Sequence, residues 1–408
     1  MPMFRVSTAV ILLAPVALLL TGCRTGPDAT TTDSFSSLPS PAAHGSTAPH
    51  LALTPAGDVV MSWLEPAAAG SHALKFSILD GERWSQSSTL ASGSDWFINW
   101  ADFPSVTPIT GKDWVAHWLV RQPGGTYSYD IALAISRDAG ATWGAPLTPH
   151  DDGTPTEHGF VTLFPWGDGF GAVWLDGRKT KPDPGGMTVR YARIGFDGVI
   201  RENGEIDELA CDCCATDVAM AAAGPVATYR DRTADEIRDI AVSRYADGAW
   251  QPPVIVGNDG WRIPGCPVNG STIAARGERV VVAWYTAPNR QRRVQLAWSG
   301  DGGRSFAEPV LIEDGPVSGY VDVDLLADDL AVVSWTAKTG DGPGEIRLRR
   351  VPYRGKPGPV QLIAKSTVGR GSGFPQMIHG RDGLVYAWTE PGEPSRIHTA
   401  WSPLKSEN

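Results

Sequence analysis

One short pattern recurs down this chain and limits what it can fold into. A run of small and β-branched residues ends in an aromatic ring: VVMSW closing at Trp63, WVAHW at Trp118, FGAVW at Trp174, PVATY at Tyr229, VVVAW at Trp284, AVVSW at Trp335 and LVYAW at Trp388. The rings are spaced 55, 56, 55, 55, 51 and 53 residues apart. Val and Ala with a terminal aromatic are strand chemistry. A period of roughly 50 residues marks one supersecondary unit repeated along the chain.

The flanks of each copy complete the unit. An alternating segment precedes it, such as His50–Leu53 or Ser271–Ala274, and another follows, such as Ala73–Ile78 or Val294–Trp298. A turn, a Trp or Phe and a fourth short strand come next, as at Pro309–Ile312. Four antiparallel strands per repeat make one blade of a β-propeller. The expectation is an all-β propeller of seven four-stranded blades, or six if one set is misread. After Trp388 only one further strand is available, Ile397–Trp401, so the last blade lacks its fourth. The segment Asp33–Ala43 can supply it, which would close the ring and leave no open sheet edge. A length of 408 residues allows two or three domains, but the repeat points to one, over residues 47–404.

The N-terminal stretch reads as an address. Arg5 precedes an apolar run, Val10–Leu20, and Leu20-Thr21-Gly22-Cys23 follows. This resembles the lipobox of bacterial lipoproteins. The resemblance implies a signal peptide over 1–22, lipidation of Cys23 and a Ser-, Thr- and Pro-rich tether over 23–46. The protein would then sit in the bacterial cell envelope, on the periplasmic face or the outer membrane, touching membrane only through its anchor. A net charge of −10 without a basic run argues against nucleic acid as partner. A monomer is expected.

Two turns carry a further resemblance. Ser136-Arg137-Asp138-Ala139-Gly140-Ala141-Thr142-Trp143 and Ser299-Gly300-Asp301-Gly302-Gly303-Arg304-Ser305-Phe306 resemble the Asp box, or BNR repeat, of the sialidase superfamily. Ser and Asp side chains bond the turn backbone, Gly takes a positive φ, and Trp143 or Phe306 plugs the blade. The motif concerns fold and carries no activity.

Strand parity sorts the remaining residues. The Asp boxes lie on one face, and the ends of the aromatic strands and the links between blades lie on the other, here called the upper face. That face collects Arg178, Arg230, Arg232, Arg262, Arg370 and Trp261, which suit a carboxylate-bearing or sugar-like ligand. The alternative is that arginines and aspartates in Asp176-Gly177-Arg178 and Arg230-Asp231-Arg232 merely tie blades together. Sialidase resemblance implies three arginines on a substrate carboxylate, a Tyr nucleophile assisted by a Glu, and an Asp acid-base. The candidates here are Tyr320 or Tyr285 with Glu236 or Glu157, and the family's opening motif is matched only by Trp261-Arg262-Ile263-Pro264, displaced to the link between the fourth and fifth blades.

The same face gathers Cys211, Cys213, Cys214 and Cys266, from neighbouring links. Four thiols of an exported chain fit two disulfides, with one of the cluster bonded to Cys266. The other options are a Cu(I) or Zn site, with His158 or Asp217 as a further ligand, and a redox-active dithiol. No cofactor is otherwise expected. Three functions stay open: a glycan- or small-molecule-binding propeller, an exo-sialidase-type glycoside hydrolase, and a metal- or redox-linked accessory protein.

Overall fold

The structure is a computed structural model that describes residues 1, 3, 29–181, 185–338 and 340–403. The lipobox and Cys23 lie outside the described residues. Seven antiparallel sheets follow one another along the chain. Blade one is built from Thr47–Leu53, Val59–Pro66, His72–Asp80 and Ser88–Gly93. Blade two has Ser105–Pro108, Trp114–Arg121 and Tyr129–Ser136, its fourth place reduced to a bridge between Leu133 and Leu147. Blade three has His158–Trp166, Gly169–Asp176, Met187–Gly195 and Ile200–Ala210. Blade four has Asp217–Ala221, Gly224–Arg230, Ile240–Ala246 and Val254–Ile255. Blade five has Ser271–Arg276, Arg279–Thr286, Arg293–Ser299 and Val310–Asp314. Blade six has Val317–Ala327, Leu330–Ala337, Gly344–Pro352 and Gln361–Ser366.

Blade seven closes the ring. Its strands Gln376–Gly380, Gly383–Glu390 and Arg396–Pro403 are completed by Ser36–Leu38, with Ser36 opposite Trp401 and Leu38 opposite Thr399. The Asp33 carboxylate grips Arg350 of blade six at 2.5 and 3.1 Å, and its N–H donates to Gln361 at 2.6 Å. Both ionic side chains are nearly fully buried, at 5% and 3% exposure. The propeller therefore begins well before residue 47. From Asp33 onward, the second half of the expected tether is part of the folded ring, because an unpaired strand edge of blade seven needs a partner.

The repeated aromatics all sit in second strands and are 0–8% exposed. Each packs in the apolar layer between neighbouring sheets, as Trp335 does in the cluster joining blades five and six. A buried indole N–H needs an acceptor. Trp63 donates to Glu65 at 3.2 Å, Trp174 to Asp176 at 2.9 Å, Trp284 to Asp259 at 2.7 Å and Trp335 to Glu313 at 2.5 Å. The Tyr229 hydroxyl likewise donates to Asp207 at 2.7 Å. Closer to the axis, inner-strand aspartates stitch one blade to the next. Asp217 accepts from the Ile273 N–H at 2.9 Å, and Asp322 and Asp324 accept from Met377 and His379 at 2.7 Å.

The two singled-out turns share one geometry. Ser136 donates to Asp138 at 2.8 Å, and Asp138 accepts from the N–H and hydroxyl of Thr142 at 2.8 and 2.6 Å. Ser299, Asp301 and Ser305 repeat these contacts at 2.7, 3.0 and 2.6 Å. Gly140 and Gly303 hold φ of +83° and +84°, as such turns require. Trp143 and Phe306 are half-buried rather than sealed between strands, with Trp143 edge-on to Phe76 of blade one at 6.3 Å.

Replacing Asp33 by Ala removes the carboxylate from a buried ion pair that bolts the closing strand to blade six. Denaturant unfolding should show a loss of about 3 kcal/mol. A loss below about 1 kcal/mol would mean that the N-terminal segment does not hold the ring shut.

Candidate functional site

The upper face is shaped by a backbone device in the inner strands. Ala48, Phe160 and Tyr320 each adopt a positive φ, of 56°, 55° and 51°, where the first-strand register of blades one, three and six slips. A bulge in the left-handed region re-aims side chains at a rim, and non-glycine residues hold it only when the surroundings enforce it. At Phe160 the enforcement is visible: its N–H donates to the buried Asp102 carboxylate at 2.8 Å. At Tyr320 the N–H donates to Asn269 at 2.8 Å.

Tyr320 thereby joins an aromatic group at the channel mouth. Trp100 and Phe374 are parallel at 6.0 Å, Tyr320 meets Phe374 edge-on at 4.8 Å, and the Arg370 guanidinium lies 5.9 Å from the Trp100 ring. Beneath them the axial cavity, about 220 Å³, is lined by Asp102, Phe103, Thr162, Asp217, Asp322 and Phe374 among others.

Asp102 also faces outward, through Tyr129. The Tyr129 hydroxyl lies 2.7 Å from Asp102 Oδ2 and 2.7 Å from Glu157 Oε1. A phenol has one proton, so it donates to one carboxylate and the other carboxyl must donate to it. One proton beyond the phenol's own is thus held between two acids. Burial pushes Asp102 up to about 7 from 3.8, against the Tyr129 and Phe160 hydrogen bonds. Burial likewise pushes Glu157 up to about 7 from 4.5, and the charges of Asp102 and Asp212 add to it. Gly159 makes the approach possible, because a Cβ there would overlap Asp102 Oδ2 and press on the Tyr129 ring. Glu157 is the half-exposed end of this chain of groups. It lines a second cavity of about 330 Å³ with Tyr127, Ser128, Thr156, Lys181 and Asp212.

Of the residues singled out from sequence, Glu157 alone enters this arrangement as a Tyr-bonded acid, and its partner is Tyr129. Tyr320 belongs to the aromatic group and Tyr285 is packed edge-on against Trp261 at 5.7 Å. Glu236 is clamped between Arg232 and Arg238 at 2.6 and 2.9 Å, which holds its carboxyl below the usual range. The arginines do not converge on an open carboxylate subsite. Arg230 is 1% exposed and donates to the carbonyls of Asn269, Arg238 and Tyr285 at 2.7–2.9 Å. Arg178 pairs with Asp176 at 2.7 Å and Asp152 at 3.2 Å, and Arg232 with Glu236 and Asp212. These three tie loops together, as the alternative reading held. Arg262 and Arg370 are exposed. Tyr129 and Asp102 were missed, although parity places both on this face: one opens a third strand, the other stands in the first inter-blade link.

Among the described residues, two neighbourhoods have the donor atoms for a metal ion. In the first, His150 and His158 stack at 3.8 Å beside Asp130, Asp152 and Asp176. His158 Nδ1 lies 3.3 Å from the Tyr129 carbonyl and Nε2 3.2 Å from Asp152. Arg178 already meets the charge of Asp176 and Asp152. His150 faces the Ile131 N–H at 3.4 Å, and burial, followed by the His158 charge, lowers it to about 4. The group is a self-balanced ion network, and His158 is not a partner of the thiols. Asp217 is not either, being bound to the inner strand of blade five.

The second group is the sulfur cluster. Cys213 and Cys266 form a disulfide between the links into blades four and five, which confirms that these links are neighbours. Cys211 and Cys214 are buried free thiols with Sγ atoms 2.9 Å apart.

No protein-family model matches the chain, and neither does any curated protein. Solved structures share its fold. A protein of unknown function from Dyadobacter fermentans DSM 18053 is 13% identical with a TM-score of 0.50, over 91% of this chain and 98% of that one. The endosialidase of phage phi92 is 8% identical at 0.50, over 92% and 70%. The α-L-arabinanase of Penicillium chrysogenum, solved with arabinobiose, is 10% identical at 0.50, over 93% and 99%. What this chain shares with them is the overall fold.

The proton held by Asp102 and Glu157 has a sign that can be tested. Both carboxyls bind protons more tightly folded than unfolded, so their contribution is full below about pH 4 and is lost as pH rises through about 7. Between pH 5 and pH 8 this shared proton should account for a loss of about 2–3 kcal/mol of stability in chemical denaturation, and Asp102→Asn should remove most of that share. Equal slopes for both proteins across this range would show that the two acids do not share a proton.

Proposed function

We propose that the protein binds a saccharide on its upper face, in the cavity lined by Glu157 and Asp212. The observation that carries this reading is the pairing of two carboxylates in one cavity of about 330 Å³, with Tyr127 and Lys181 beside them. A cavity of this size suits a small ligand, and sugar hydroxyls are met by carboxylates, lysine and an aromatic wall. Arg178, Arg230 and Arg232 are already engaged by carboxylates and carbonyls, so an acidic sugar would not find them free. The reading therefore favours a neutral glycan over the carboxylate-bearing ligand expected from sequence. Arabinobiose in the Penicillium arabinanase and the name of the phage endosialidase give the fold two precedents in saccharide chemistry. On this reading the paired Ser–Asp turns are Asp boxes. The lipobox at Cys23 would tether the propeller to the cell envelope through its lipid alone, with the upper face open to glycans.

Hydrolysis is the second reading, and one observation favours it. Glu157 is held protonated near neutrality, which a general acid toward a glycosidic oxygen requires, while Asp212 across the cavity is paired with Arg232 and Arg238. Tyr129 and Asp102 then act behind Glu157, as the reservoir that returns its proton.

A glycan array followed by calorimetry on hits tests binding. Tyr127→Ala and Asp212→Ala should each weaken a neutral glycan at least tenfold, and unchanged affinity in both would remove the cavity from the reading. Turnover of nitrophenyl glycosides tests hydrolysis: Glu157→Gln should lose roughly 100-fold or more in kcat while still binding. Activity surviving in that variant would exclude Glu157 as the acid.

A further inference from the structure

The four upper-face sulfurs are not equivalent, and their arrangement is directional. Cys266 is exposed, Cys213 is half-buried, and Cys211 and Cys214 are fully buried behind them. The sulfurs of Cys211, Cys213 and Cys214 lie within 4.8 Å of one another. A buried dithiol therefore stands in reach of one sulfur of a disulfide whose other sulfur faces solvent. We propose that this cluster is a thiol–disulfide exchange couple, with Cys211 and Cys214 as the inner pair and Cys213–Cys266 as the outer one.

The surroundings of Cys211 suit the attacking role. Its Sγ accepts from Arg238 Nη1 at 3.3 Å and from the Cys214 thiol. The Cys214 contact, then the Arg230 charge and Arg238, pull the pKa of the Cys211 thiol well below its ordinary value, against the effect of burial. Burial and the neighbouring Cys211 push Cys214 the other way. Arg238 is fixed in turn by Glu236 at 2.9 Å and Asp212 at 3.3 Å. A low-pKa thiol beside a cation and paired with a second thiol is the usual environment of an exchanging cysteine.

The step balances within the chain. The Cys211 thiolate attacks Cys213 Sγ, the Cys213–Cys266 bond breaks, and Cys266 leaves as a thiolate that takes a proton from solvent. Deprotonated Cys214 then attacks Cys211 Sγ, and Cys213 leaves as a thiolate and is protonated. Two electrons pass from the inner pair to the outer pair, and two protons lost inside are regained outside. Reduced Cys266 is then presented to solvent, where the partner is any exposed disulfide of small-molecule or protein origin.

One experiment decides this. The purified protein, which carries one disulfide and two thiols, is held at low pH, shifted to each test pH without reductant, quenched with acid at intervals, alkylated and mapped by mass spectrometry. Exchange requires that singly bridged molecules hold both isomers, Cys213–Cys266 and Cys211–Cys214, in a ratio that no longer changes with time. The approach to that ratio should quicken at least tenfold between pH 5 and pH 7 and level off above. Cys214→Ser should halt at a Cys211–Cys213 bridge with Cys266 alkylated. The proposal is overturned by a single Cys213–Cys266 isomer at every pH, by two bridges that open only together with unfolding, or by stoichiometric copper or zinc bound to the sulfurs of the purified protein.

Discussion

A tryptophan buried between two sheets must still place its N–H, and much of the upper face follows from that need. The apolar ring is what the layer between blades requires, but the indole nitrogen comes to rest at the strand's upper end, where no ladder partner exists. At four of the six repeated tryptophans a carboxylate is supplied there. Glu65 and Asp176 supply it two residues after the ring, while Asp259 and Glu313 supply it from neighbouring segments. Three of these carboxylates pair with a cation in turn: Glu65 with Lys75, Asp176 with Arg178 and Glu313 with Arg347. A rim that reads as charged and ligand-ready is thus partly the polar edge of the core. The acids and bases free for function are those this scheme does not consume.

That distinction explains what the sequence disclosed. The ring of blades was legible because burying a sheet on both faces imposes the same solution seven times, at nearly constant spacing. Closure by the segment around Ser36–Leu38 was legible because blade seven runs out of chain. A bond from one of Cys211, Cys213 and Cys214 to Cys266 was legible from parity, since consecutive inter-blade links emerge on one face; that Cys213 takes it was not. The arginines were harder. Nothing in Tyr229-Arg230-Asp231 tells that Arg230 turns inward to three carbonyls, because backbone acceptors have no sequence signature. Tyr129 and Asp102 were hidden for a related reason. They are brought together by a left-handed bulge at Phe160 and a glycine at 159, and a positive φ on phenylalanine is a property of the assembled ring.

The resulting face has two polar centres joined by short links. Asp102, Tyr129 and Glu157 connect the axial cavity to the outer one through a single shared proton. Asp212 borders the outer cavity and, through Arg232 and Arg238, reaches Glu236 and the Cys211 sulfur. A charge change at either centre is therefore felt at the other: Asp212 already contributes to the raised pKa of Glu157. The outer cavity and the sulfur cluster thus share one carboxylate.

The account rests on the outer cavity being where a sugar sits. The most direct measurement is a crystal structure of the protein with a neutral oligosaccharide bound. A sugar ring lodged between Glu157 and Asp212, with a glycosidic or hydroxyl oxygen at 2.6–3.2 Å from the Glu157 carboxyl, is the predicted result. A saccharide held instead on the Asp-box face or at a blade's outer edge, with that cavity unoccupied, would contradict it.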